Sequence, residues 1–85
     1  MMIHILYFAR LRETLGRPGE HLTPPPTVSS VADLIDHLRA RDGAWARGLG
    51  PGERFLVAVN QALARPETLL HDGDEVALFP PVTGG

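Results

Sequence analysis

The sequence predicts an α+β domain in which a small mixed β-sheet packs on one main helix. Only one stretch, residues 31–41, has the apolar spacing of a substantial amphipathic helix. The first and last regular stretches instead alternate as strands do. The chain has 85 residues, enough for one modest core. We therefore expect a single domain over residues 1–85, with residues 80–85 as an extended tail.

The chain begins with a predicted strand at residues 2–8, where β-forming side chains dominate. Its side chains point to two faces: Ile3, Ile5 and Tyr7 to one, and His4, Leu6 and Phe8 to the other. A short helix at residues 9–15 ends at Gly16. A second strand at residues 20–23 precedes a run of three prolines, residues 24–26, which interrupts regular structure.

The main helix is predicted at residues 31–41, with Ser30 as its N-cap and Asp33 completing a capping box. The apolar face consists of Val31, Leu34, Ile35 and Leu38. After the helix, Trp45 and Leu49 are expected to form a small satellite cluster in a loop or a single helical turn.

The last third of the chain contains two further strands. The first, at residues 55–59, places Phe55, Val57 and Val59 on one face. A bend and a short extended piece follow at residues 60–64, and Leu69 and Leu70 are expected to cover part of the core. A turn at Asp72–Asp74 leads into the closing strand, residues 75–79.

The predicted order is strand, strand, helix, strand, short strand, strand. One helix crossing a single face of a mixed sheet buries every apolar face named above, and the first and last strands can then pair in its centre. This is the β-grasp, or ubiquitin-like, arrangement.

Composition excludes several functions. The net charge of −2 argues against nucleic-acid binding. No apolar run approaches the roughly 18–20 residues of a membrane span, and no cationic segment precedes the first apolar run, so we expect a cytoplasmic protein without membrane association. The chain has no cysteine and its four histidines are scattered, so we expect no metal site and no permanently bound cofactor.

The C-terminal tail is the most distinctive stretch, because the closing strand runs directly into the sequence PPVTGG. The two prolines favour an extended, stiff path, and the glycines pass where larger residues would clash. The tail is therefore expected to hold the carboxylate of Gly85 away from the folded body.

Strand alternation also predicts a docking surface. If Ile3 and Val76 face the helix, then Phe8 and Phe79 lie on the outer face of the sheet, and Leu63 can join them. An apolar patch on a small domain commonly marks a partner site.

Three segments of the chain resemble the small subunit of molybdopterin synthase, also called molybdopterin converting factor subunit 1. They are LYFARLRE at residues 6–13, AVNQ at 58–61 and, most specifically, DGDEVALFPPVTGG at 72–85. The resemblance covers nearly the whole chain in the same order. The three prolines at 24–26 depart from the pattern but touch none of the motifs.

The resemblance implies a sulfur carrier that is not catalytic alone. An adenylyltransferase related to ubiquitin-activating enzymes would use ATP to adenylate the carboxylate of Gly85, which follows Gly84. A sulfur donor protein would then convert the acyl-adenylate to a thiocarboxylate. The large subunit, in a heterotetramer of two small and two large subunits, would use that sulfur to build the dithiolene of molybdopterin from cyclic pyranopterin monophosphate.

The resemblance also implies which residues contact the partner. The positions matching Phe8, Leu63 and Phe79 lie in the family's subunit interface, with Arg12 as a rim contact. The tail residues implied to bind the partner are Pro80, Pro81, Val82 and Thr83.

Three alternatives stay open from the sequence. A carrier for thiamine synthesis or tRNA thiolation would share the fold, the tail and its activation. A ubiquitin-like modifier would join Gly85 to a lysine of a target protein. A plain interaction domain would not need Gly85.

Overall fold

The computed structural model describes residues 1–41 and 43–81. Eight elements follow one another in the described chain: β1 (Ile3–Tyr7), α1 (Ala9–Leu15), β2 (Gly19–Leu22), α2 (Val31–Arg39), α3 (Ala44–Gly48), β3 (Leu56–Val59), β4 (Ala62–Leu63) and β5 (Glu75–Phe79). The strands form one sheet in the order β2-β1-β5-β3-β4. The predicted α+β class and the central pairing of the first and last strands are confirmed.

The register of the sheet fixes which residues share a face. β1 and β5 run parallel, with Leu6 opposite Ala77, whereas β3 runs antiparallel to β5, with Leu56 opposite Phe79. The inner face of the sheet carries the core. Its fully buried members include Ile3, Ile5, Tyr7, Val76 and Leu78 from the strands and Leu34 and Leu38 from α2.

The capping box of α2 forms as predicted. The Ser30 hydroxyl accepts a hydrogen bond from the Asp33 backbone N–H at 3.2 Å, and the Asp33 carboxylate accepts one from the Ser30 N–H at 3.1 Å. The helix ends at Arg39, two residues before the predicted boundary. Arg41 lies beyond the helix, and its guanidinium binds Glu20 on β2.

The Ser30→Ala variant should lower the free energy of unfolding by about 1 kcal/mol, because the Asp33 N–H loses its acceptor at the first turn. Urea unfolding would measure the loss. Ser30→Asn, which keeps a capping oxygen, should retain most of the stability. Equal losses in the two variants would show that the loss in Ser30→Ala does not come from the capping oxygen.

One core prediction is wrong, and a second holds only in part. Trp45 and Leu49 do not form a satellite cluster: Leu49 is completely buried in the main core, and Trp45 packs edge-on against Tyr7 with ring centroids 5.5 Å apart. Leu69 is 60% exposed although Leu70 is buried. Leu69 pairs with Ser30 in an isolated bridge, and neighbours in an extended segment point to opposite sides, so only one of the two leucines reaches the core.

A polar network joins β1, β2 and the end of α2 beside this core. The Glu20 carboxylate accepts two hydrogen bonds from Arg41, at 2.8 and 2.9 Å, and one from the Tyr7 hydroxyl at 2.7 Å. The Arg41 guanidinium lies over the Trp45 ring, 4.4 Å from its centroid. Hydrogen bonds from Arg41 hold the pKa of the Glu20 carboxyl below its ordinary value, against the opposing effect of burial. Burial raises the pKa of Tyr7, and the hydrogen bond to Glu20 raises it further.

Within residues 1–41 and 43–81, no helix is long and apolar enough to cross a membrane.

Candidate partner-binding face

The outer face of the sheet, turned away from α2, contains the predicted docking residues. The register aligns Leu6, Ala77, Ala58 and Leu63 in one row across four strands. Next to this row, toward the end of β5, lies the pair Leu56 and Phe79. We call the apolar set Phe8, Leu56, Leu63 and Phe79 the docking face.

The three predicted apolar contacts are accessible to different degrees. Leu63 is 74% exposed, Phe8 is 44% exposed and Phe79 is half-buried. Phe8 lies just beyond β1, as the N-cap of α1, with extended backbone angles (φ −118°, ψ 152°). Its N–H donates to the Leu78 carbonyl at 3.1 Å, which fixes Phe8 at the end of β5 where the tail begins.

Leu56 belongs to the docking face but was not predicted to contact a partner. It is 38% exposed and lies opposite Phe79 in the antiparallel pair. The signal was present in the sequence: with Phe55 and Val57 pointing to the core, alternation leaves Leu56 on the outer face.

The remaining predicted contacts lie around the start of the tail. Arg12 is an exposed residue of the last turn of α1, and its guanidinium makes no ion pair within the described part of the chain. Pro80 and Pro81 are half-buried where the chain leaves β5. The predicted tail residues Val82, Thr83, Gly84 and Gly85 lie outside the described residues, so their roles stay predictions.

The opposite end of the outer face is polar. His4 on β1 stacks on its cross-strand partner His21, with ring centroids 4.3 Å apart, and Glu75 lies beside His4. In the turn before β5, the Asp74 carboxylate accepts hydrogen bonds from the His71 N–H and the Asn60 amide.

The other carboxylate of this turn, Asp72, accepts a hydrogen bond from the Met2 N–H at 2.8 Å. Both aspartates are therefore used within the fold, as expected for a turn. No group of three or more His, Asp or Glu side chains is arranged to hold a metal ion in the described ranges 1–41 and 43–81.

The docking face supplies no chemistry of its own. Its side chains are apolar, and none of them can act as an acid, a base or a nucleophile. What the arrangement offers is an exposed apolar surface next to Pro80 and Pro81, where the chain leaves β5.

The chain is similar to known proteins over nearly its whole length. Residues 5–85 match the ThiS family. The chain is 45% identical to the molybdopterin synthase sulfur carrier subunit of Escherichia coli, over 99% of this chain and 100% of that protein.

Solved structures have the same fold. SAMP1 of Haloferax volcanii, a small archaeal modifier protein, superposes with a TM-score of 0.79 at 31% identity, and the match covers 100% of both chains. A chain from the complex of subunits 1 and 2 of the molybdopterin-converting factor of Helicobacter pylori has a TM-score of 0.70 at 24% identity, again over 100% of both chains. At that identity the second likeness shows the fold alone.

Proposed function

We propose that this chain, which belongs to the ThiS family, is the sulfur-carrier subunit of a molybdopterin synthase. The observation that carries the proposal is the 45% identity over the whole chain to the sulfur carrier subunit of Escherichia coli. The docking face at the root of the tail supports it, because a carrier must present its terminal group to a partner.

The chemistry proposed for the tail begins at a carboxylate, which is a poor electrophile without a leaving group. The Gly85 carboxylate attacks the α-phosphate of ATP in the activating enzyme, and pyrophosphate leaves. A sulfur donor at the oxidation level of sulfide then attacks the acyl carbon, and AMP leaves. The product is a thiocarboxylate, whose sulfur attacks the pterin precursor. Water then cleaves the bond between the Gly85 acyl carbon and the sulfur, which restores the Gly85 carboxylate. Gly84 has no side chain, so the tip is narrow enough to enter the active sites of the activating enzyme and of the large subunit.

The proposed partner of the docking face is the synthase large subunit, in an assembly of two small and two large subunits. Phe8, Leu63 and Phe79 would fill an apolar depression on the partner, with Leu56 as an additional contact. Apolar and aromatic side chains buried at the centre of an interface commonly supply most of the binding energy. Because activation consumes ATP, we place the protein in the cytoplasm.

Intact-mass measurement after incubation with ATP, the activating enzyme and a sulfur source tests the proposal. The chain should gain one sulfur in place of one oxygen, and fragmentation should locate the change at Gly85. A variant with an uncleavable alanine added after Gly85 should fold equally well and gain no sulfur. Sulfur incorporation in that variant, or none in the natural chain, would overturn the proposal.

The likeness to SAMP1 favours one second candidate, a protein modifier. In that case the activated acyl group of Gly85 ends in an isopeptide bond to a lysine of another protein. The same experiment performed in a cell extract separates the two functions, because a modifier yields covalent adducts whereas a sulfur carrier yields the free thiocarboxylate.

A further inference from the structure

The side chain of Arg10 reaches the backbone of Arg54 near the docking face. Arg10 lies in the first turn of α1, and Arg54 lies just before β3. The Arg10 guanidinium donates a hydrogen bond through Nη2 to the Arg54 carbonyl oxygen at 3.4 Å. Both residues are exposed. The fold thus brings the Arg10 guanidinium to the backbone of a second exposed arginine, 44 positions away in sequence.

This region lies near the start of the tail, where the chain leaves β5. Arg10 is two residues after Phe8, whose N–H is bound to the Leu78 carbonyl in β5. Arg54 is two residues before Leu56, which lies opposite Phe79. Both arginines are therefore tied by short stretches of backbone to residues of the docking face.

Arg10 and Arg54 have no carboxylate partner within the described residues. In that part of the chain, Arg17 and Arg41 pair with Glu20, and Arg39 pairs with Asp36. The turn that carries Asp72 and Asp74 lies at the opposite end of β5. The acidic residues nearest to the two arginines in sequence are Glu13 and Glu53, and neither pairs with Arg10 or Arg54 within the described residues.

We propose that Arg10 and Arg54 form a basic rim that binds carboxylates of the large subunit, placed around the apolar depression that receives Phe79. The inference rests on the proposed function and adds the charge of the partner surface to it. A guanidinium suits this role because it stays charged and can grip a carboxylate with two parallel hydrogen bonds. Charges at the edge of an interface mainly speed and orient docking.

Binding of the double variant Arg10→Gln/Arg54→Gln to the purified large subunit of the same organism tests the rim. At low ionic strength the variant should bind about 10-fold more weakly, mainly through a lower association rate, and the difference should shrink as salt is added. Each single variant should show part of the loss. Arg47→Gln, an exposed change on α3, is the control for net charge and should alter affinity by less than about 2-fold.

The outcomes separate this inference from the proposed function. If the natural chain accepts sulfur and binds the large subunit, and the double variant binds equally well at low salt, the basic rim is overturned and the proposed function stands. The rim is also overturned if Arg47→Gln lowers the affinity for the large subunit as much as Arg10→Gln or Arg54→Gln does. The effect would then follow net charge. Failure of the natural chain to bind the large subunit overturns both.

Discussion

Aspartate in place of Leu63 or Phe79 should weaken binding to the large subunit by at least about 100-fold, because each change removes an apolar contact and forces a charge into a buried interface. Leu63 is the sharper position. Its side chain is 74% exposed in the isolated chain, so aspartate there disturbs little of the fold. Titration calorimetry with the purified large subunit measures the loss.

The chain offers a matched control in Leu69, which is 60% exposed and lies outside the docking face, where it pairs with Ser30 in an isolated bridge. Leu69→Asp makes the same chemical change and should leave affinity within about 2-fold, as an exposed substitution outside the interface does. Urea unfolding of all three variants shows which remain folded. Undiminished binding by folded Leu63→Asp and Phe79→Asp would remove the docking face as the interface.

The sequence predicted that Phe8 and Phe79 share the outer face of the sheet, because a sheet's alternation is local information. Once Ile3 and Val76 were assigned to the core, Phe8 and Phe79 had to lie on the other side. The position of Leu56 follows from the same rule, but its partnership with Phe79 depends on the register between β3 and β5, which a single sequence does not specify.

Long-range contacts explain what sequence reasoning missed. Arg41 was placed in the main helix because its surroundings favour helix, but its charge is satisfied by Glu20 on a strand 21 residues away. Trp45 joins the core because its ring supports that same guanidinium and the Tyr7 ring. The meeting of Arg10 with Arg54 likewise depends on tertiary structure. The tail is a different case. Its proposed role rests on a sequence motif and on the chemistry of a main-chain carboxylate, and not on long-range contacts.

Loss of the Glu20 carboxylate should strongly destabilise this fold. We expect Glu20→Gln to lower the free energy of unfolding by about 2–3 kcal/mol, because Arg41 keeps its charge without a carboxylate and the Tyr7 hydroxyl loses a charged acceptor. Only 12% of the Glu20 side chain is exposed, so water replaces little of this loss. Urea unfolding at neutral pH measures it.

Asp36→Asn is the matched control for this prediction. Its ion pair with Arg39 spans a similar distance, 3.2 Å, but the Asp36 side chain is 73% exposed, and exposed pairs contribute less than about 1 kcal/mol. A double-mutant cycle that compares Glu20→Gln, Arg41→Gln and the variant with both changes isolates the coupling between Glu20 and Arg41. A loss in Glu20→Gln no greater than in Asp36→Asn would contradict a stabilising role for the network.

The pH dependence of stability gives the same network a second, independent signature. The pKa of Glu20 is lower in the folded chain than its ordinary value of 4.5, chiefly because Arg41 donates hydrogen bonds to the ionised form. A lowered folded pKa contributes stability that is present above the unfolded pKa and lost as pH falls through the folded one. The natural chain should therefore lose stability below about pH 4.5, and Glu20→Gln should lose less over that range.

Asp33, whose pKa is lowered by hydrogen bonds from the Ser29 and Ser30 backbone, contributes in the same direction, so some acid sensitivity should persist in Glu20→Gln. An unchanged acid slope in Glu20→Gln would show that the carboxylate is not preferentially stabilised in the folded chain.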